Sequence, residues 1–142
     1  MKRLHEKSKS GFTLVEIMLV IVIIIALMAV LIPNIQNALR DSKSGTAQIY
    51  VQSLVNELAL YEATNGFPPT TAQGLRALVE KPSSEPVPRK WSQRKDKIEP
   101  DPWGMDYHYE YPGKHNPKSY DVFSAGPDRQ IGTDDDVGNW DK

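Results

Sequence analysis

The sequence predicts an α+β protein, in which a long N-terminal helix, membrane-embedded over its first half, packs on a small domain with a short helix and a small antiparallel sheet. Three features lead there. From Ile17 to Ile32 no side chain is polar or charged. After Pro33, apolar residues return at helical spacing. Toward the C-terminus, short stretches alternate aromatic with polar residues. At 142 residues the chain has room for one small domain besides the apolar segment.

The first eleven residues set Lys2, Arg3, Lys7 and Lys9 against Glu6, a charge of +3. A basic leader before an apolar run is first a secretory-signal pattern, with cleavage expected after the run at a small-x-small site. Pro33-Asn34-Ile35-Gln36-Asn37 offers no such site. Counted from Phe12, the run approaches the roughly 20 residues that span hydrocarbon as a helix, so it reads as a retained anchor. Basic residues before the span favour a cytoplasmic N-terminus. The chain thus divides into a leader over residues 1–11, a membrane helix over 12–33 and a water-facing domain over 34–142, periplasmic in a bacterium.

Beyond Pro33, Val51, Leu54, Val55, Leu58 and Tyr61 recur at helical spacing, while Gln52, Asn56, Glu57 and Glu62 face elsewhere. Asn65-Gly66 is a stop signal and Pro68-Pro69 prevents continuation, which gives one helix from about Phe12 to about Ala63. Pro33 removes one backbone donor and is expected to kink or locally melt that helix, or to mark the membrane exit. Thr70-Thr71-Ala72-Gln73 has the pattern of a capping box for a short helix that Lys81-Pro82 ends. Ser83 to Lys97, rich in Pro, Ser and basic residues, reads as a solvated loop. Asp106 to Tyr111 and Ser119 to Ser124 form the expected hairpin, with the tyrosines in the core.

Composition excludes several functions. The chain has no cysteine, which rules out disulfides, thiolate nucleophiles and Cys-ligated metals. Without residues 1–11 there remain 13 basic and 17 acidic residues, a net charge of −4, which argues against a nucleic-acid partner. His5, His108 and His115 have no neighbouring Ser or Cys arrangement of an activated nucleophile, so catalysis is not expected.

Two acidic features call for a reason. Glu16 interrupts the apolar stretch and would cost on the order of 3 kcal/mol if unpaired near mid-membrane, unless it lies close enough to the interface to reach water. Asp128 and the run Asp134-Asp135-Asp136 gather hard oxygen donors around Gly126 and Gly132, which suits calcium. The spacing is not that of an EF-hand, and composition alone favours a solvated acidic loop.

Gly11-Phe12-Thr13-Leu14-Val15-Glu16, between the basic leader and the apolar run, resembles the prepilin-peptidase signal of type IV pilins and type II secretion pseudopilins. The resemblance implies cleavage between Gly11 and Phe12, methylation of the new Phe12 amine, and pairing of that amine with Glu16 of a neighbouring subunit during polymerisation. Four further passages narrow it to the major pseudopilins: Tyr61 to Pro68, Thr71 to Leu78, Asp101-Pro102-Trp103-Gly104 with Tyr107, and Ser124 to Asp128 leading into Asp134 to Trp140. This likeness implies a pilin-like fold and a calcium ion held by the side chains of Asp128, Asp135 and Asp136 and the carbonyl of Ala125. Thr133 is a lesser contributor, and Asp134 adds charge.

The function it implies is that of a homopolymeric pseudopilus in the bacterial inner membrane that helps export folded proteins. The partners would be minor pseudopilins, the prepilin peptidase and methyltransferase, a platform protein and an assembly ATPase. The alternatives are a type IV pilin proper, a minor pseudopilin, or an anchored calcium-binding module that does not polymerise.

Overall fold

The computed structural model describes residues 11–140, so the leader, apart from Gly11, lies outside the described residues. The chain forms two compact units, Met1–Leu39 and Arg40–Lys142.

The first unit holds the start of helix α1, Leu14–Asn65. Thr13 and Glu16 cap it reciprocally. The Thr13 backbone N–H and hydroxyl donate to Glu16 Oε2 at 2.8 and 3.0 Å, and the Glu16 N–H donates to Thr13 Oγ1 at 3.2 Å. Val and Ile are mediocre helix formers in water, but in hydrocarbon a helix satisfies every backbone group internally, so the apolar run has few alternatives. The helix runs unbroken through Pro33, so the expected local melting does not occur. Proline removes only one donor, and the turns on either side of it remain helical.

In the second unit α1 buries Ala47, Val51, Leu54, Leu58 and Tyr61, one face at alternating spacings of four and three residues. It stops two residues later than expected, where Gly66 adopts a left-handed φ of 85° and donates its N–H to the Glu62 carbonyl at 2.7 Å. The capping box forms as the sequence suggests, with Gln73 N–H to Thr70 Oγ1 at 3.2 Å and Thr70 N–H to Gln73 Oε1 at 3.1 Å. It leads into a single 3-10 turn, Gly74–Leu78, that ends before Lys81-Pro82.

Three short strands complete the unit: β1 His108–Glu110, β2 Asp121–Ser124 and β3 Val137–Gly138. They form an antiparallel sheet in the order β1-β2-β3, with Tyr109 opposite Val122 and Phe123 opposite Gly138. The hairpin was legible; β3 is an addition. Leu54, Leu58, Tyr61, Leu78, Tyr107, Tyr109, Tyr120 and Val122 share one core, whereas Tyr111 is exposed. The segment 83–97 is less solvated than its composition suggests. Trp91 Nε1 donates to the Ala77 carbonyl at 2.8 Å, Pro88 is buried, and Arg94 Nη2 donates to Thr64 Oγ1 at 2.9 Å. The indole needs a partner when buried, and the end of the 3-10 turn supplies one.

Candidate functional site

Two regions hold the residues singled out by sequence. The first is the start of α1 with the residues just before it. Gly11, Phe12 and Thr13 are exposed and outside regular structure, so the Gly11–Phe12 bond lies open to a peptidase. The Phe12 side chain is 84% exposed. From Leu14 to Leu39 the one charged side chain is Glu16, and the apolar side chains around it are exposed. Glu16 sits in the first helical turn with its carboxylate directed back to Thr13 by the cap. Among the described residues α1 is the one helix long and apolar enough to cross a membrane.

The second region is the acidic loop between β2 and β3. Ala125 is buried at 1% exposure, and Gly126 turns the chain with a φ of 66°. A Cβ at Gly126 would collide with the Asp135 backbone, so the two ends of the loop touch there. Asp135 is the organiser. Its Oδ1 accepts the Thr133 hydroxyl at 2.5 Å and its Oδ2 accepts the Asp128 N–H at 3.2 Å. The hydrogen bond from the Thr133 hydroxyl lowers the Asp135 carboxyl from its ordinary value, outweighing the opposing effect of burial.

The other aspartates serve the loop too. Asp128 Oδ1 accepts the Gln130 N–H at 2.7 Å, and Asp136 Oδ2 accepts the Gly132 N–H at 2.7 Å. Asp136 Oδ1 is buried and has no hydrogen-bond partner. Asp134 is exposed. The loop thus brings Asp128, Asp135 and Asp136 onto one short segment, although among the described residues no three Asp, Glu or His side chains close on a common point.

His5 lies outside the described residues, and the two described histidines are structural in their contacts. His115 stacks on Trp140 with ring centroids 3.8 Å apart, and its Nδ1 lies 3.3 Å from Asp121 Oδ2. His108 stacks on Phe123 at 5.2 Å. Sequence reading missed Asp121 and Asn139, whose side chains bind backbone groups across the sheet edge. Both look like ordinary surface residues until the tertiary structure closes around them.

Known proteins resemble this chain in sequence and in fold. Residues 34–140 match the family described as type II secretion system (T2SS), protein G, and residues 7–32 match the prokaryotic N-terminal methylation motif. The type II secretion system core protein G of Dickeya chrysanthemi is 42% identical over 137 residues, covering 95% of this chain and 88% of that protein. Its namesake from Escherichia coli K12 is 41% identical over 132 residues, covering 92% and 90% respectively. The crystal structure of the major pseudopilin from the type 2 secretion system of enterohaemorrhagic Escherichia coli matches with a TM-score of 0.68 at 38% identity, over 73% of this chain and 87% of that one.

Proposed function

The chain belongs to the type II secretion system protein G family, and from that membership we propose that it is the major structural subunit of a pseudopilus, polymerising through α1 to help export folded proteins across the outer membrane. The observation that carries this reading is the exposed apolar stretch of α1 from Leu14 to Ile32, interrupted only by Glu16 and lying within the segment that matches the methylation motif. At about 25 cal/mol per Å² such a surface is covered whenever it can be. The lipid of the inner membrane covers it before assembly and other copies cover it afterwards, with the domain from Asn34 onward in the periplasm.

Processing supplies the switch between the two. A prepilin peptidase cuts after Gly11, and methylation leaves a cationic secondary amine on Phe12, four residues from Glu16. Inside an apolar bundle that amine and the Glu16 carboxylate of the next copy are each costly alone and tolerable together, so the pair recruits subunits and sets their register. Minor pseudopilins, a platform protein and a cytoplasmic ATPase complete the assembly. In this reading the chain is a structural subunit with no chemistry of its own, and the contacts of His115 with Asp121 and Trp140 are consistent with a structural role.

Calcium is the proposed cofactor, held by the side chains of Asp128, Asp135 and Asp136 and the carbonyl of Ala125. An all-oxygen donor set and the unpartnered buried Oδ1 of Asp136 favour it. Bound calcium would supply a cross-link to a cysteine-free loop with few apolar residues. Thr133 acts through Asp135, which its hydroxyl orients.

Intact mass of the chain extracted from membranes containing the peptidase tests the reading, with loss of Met1 to Gly11 and gain of one methyl expected. An uncut leader would overturn it, as would filaments from Glu16→Ala in wild-type yield. For calcium, the expected result is a thermal upshift of the full-length protein that Asp135→Ala and Asp136→Ala abolish. An equal response in wild type and variants would remove calcium from the account.

A further inference from the structure

Asp101-Pro102-Trp103-Gly104 stands out in the sequence and has no part in processing, polymerisation or the proposed calcium ligand set. Its aspartate is a buried anchor. Asp101 is 4% exposed, and its Oδ1 accepts the N–H groups of Trp103 at 3.0 Å and Met105 at 2.8 Å. Those bonds close the 101–105 turn. Oδ2 accepts the hydroxyl of Ser124 at 2.5 Å, at the last residue of β2 and wholly buried. The same Ser124 Oγ accepts the N–H of Gly126 at 3.1 Å.

A hydroxyl has one proton, and here it is given to Asp101. The oxygen lone pairs are therefore aimed the other way, at Gly126. Gly126 is where the acidic loop begins, with its positive φ and its close approach to the Asp135 backbone. The turn, the hydroxyl and the loop form one chain of contacts, Asp101 to Ser124 to Gly126 to Asp135.

We infer that Asp101 is a positioning residue for the acidic loop, acting through Ser124 to fix the Gly126 turn and so the spacing of Asp128, Asp135 and Asp136. The 101–105 turn and the acidic loop are then one device, although Asp101 and Ser124 lie 23 positions apart in the sequence. A carboxylate suits the task because a charged acceptor makes hydrogen bonds about twice as strong as a neutral one and cannot donate back to the serine. Asparagine in its place would present an N–H₂ to Ser124 Oγ and compete with the Gly126 N–H for its lone pairs.

The calcium arm of this inference rests on the calcium reading, so the experiment carries two readouts. Full-length Ser124→Ala, Asp101→Asn and the double variant are compared with wild type by hydrogen exchange over residues 125–137 without calcium, and by calcium titration calorimetry. In both single variants the Asp128, Gly132 and Asp136 amides are expected to exchange at least tenfold faster, and calcium to bind at least tenfold more weakly. The double variant should be no worse than either single one, as for two members of one chain of contacts.

Leu58→Ala, a cavity in the apolar core lined from α1, controls for general destabilisation and should leave both readouts unchanged. Loop exchange at the wild-type rate in Ser124→Ala or Asp101→Asn would overturn the inference, as would equal loosening in Leu58→Ala. If wild type binds no calcium while the two variants still loosen the loop, the calcium reading falls and the positioning role stands.

Discussion

Replacing Gly126 by alanine should be far more damaging than the same change at Gly132, six residues away in the same loop. Both glycines have positive φ, 66° and 86°. An L-residue held in that region loses on the order of 1–2 kcal/mol, partly offset in each case by about 0.4–1 kcal/mol from a stiffer unfolded chain. The difference is steric. A Cβ on Gly132 meets nothing within 4 Å, whereas one on Gly126 runs into the Asp135 carbonyl oxygen and lies 2.8 Å from its carbon. Backbone cannot rotate away as a side chain tip can, so overpacking adds roughly 1–3 kcal/mol.

The expected losses are thus about 1 kcal/mol for Gly132→Ala and roughly 2–4 kcal/mol for Gly126→Ala. For a unit of this size each kcal/mol moves the melting temperature by about 4–8 °C. Thermal unfolding of the detergent-solubilised chain, followed by tryptophan fluorescence, should show Gly126→Ala melting at least about 4 °C below Gly132→Ala. Equal melting temperatures would mean that the two ends of the acidic loop do not meet at Gly126, and the steric argument would fail.

Two tyrosines offer the same chemical change with opposite signs. Tyr61 has a buried hydroxyl with no partner, so Tyr61→Phe removes an uncompensated polar group and should raise stability by about 1 kcal/mol; a loss would show that the hydroxyl is satisfied. Tyr109 donates its hydroxyl proton to the buried Pro69 carbonyl at 2.7 Å, so Tyr109→Phe should lower stability by about 1–3 kcal/mol. Asp121 predicts an acid response. Burial alone would raise its carboxyl, but hydrogen bonds from the His115 backbone, the Asn116 side chain and backbone and the His115 ring win, and the net value lies below the ordinary one. Its contribution is then complete above about pH 4 and lost as pH falls through the lowered folded value. Urea midpoints of wild type should therefore fall more steeply below about pH 4 than those of Asp121→Asn, and parallel slopes would refute that role.

What could be read from sequence tracked the range of the forces involved. α1 was legible because its signals are local: an uninterrupted apolar run, then a face at helical spacing, then Asn65-Gly66. The β1–β2 hairpin was legible from alternation that places Tyr109 and Tyr120 inside. β3 was not, because two residues, Val137 and Gly138, carry no periodicity and pair only once β2 offers them an edge. Trp91 in its basic, proline-rich surroundings looked solvated because its partner, the Ala77 carbonyl, lies in another element. At the site, the acidic loop announced itself by composition. The anchors that hold it did not, since Asp101 and Ser124 are meaningful only together.

Those anchors bear on how a cysteine-free domain secures its C-terminal segment. Asp101 ties the 101–105 turn to the end of β2. Asp121 gathers the backbone of His115 and Asn116. Asn139 accepts the Val122 N–H at 3.0 Å and donates to the Tyr120 carbonyl at 2.9 Å, continuing the ladder past β3 with a side chain. Hydrogen bonds to charged groups contribute about 1.5–3 kcal/mol each, so the two carboxylates together rival the roughly 2–4 kcal/mol of a disulfide. All three anchors lie at or beyond the ends of the acidic loop, and each is satisfied by protein groups alone. The proposed calcium would therefore have only the stretch between Gly126 and Asp136 left to order. Chelation should loosen that stretch while the Val122 and Asn139 amides keep their protection, which separates a metal that tunes one loop from a metal on which the whole domain depends.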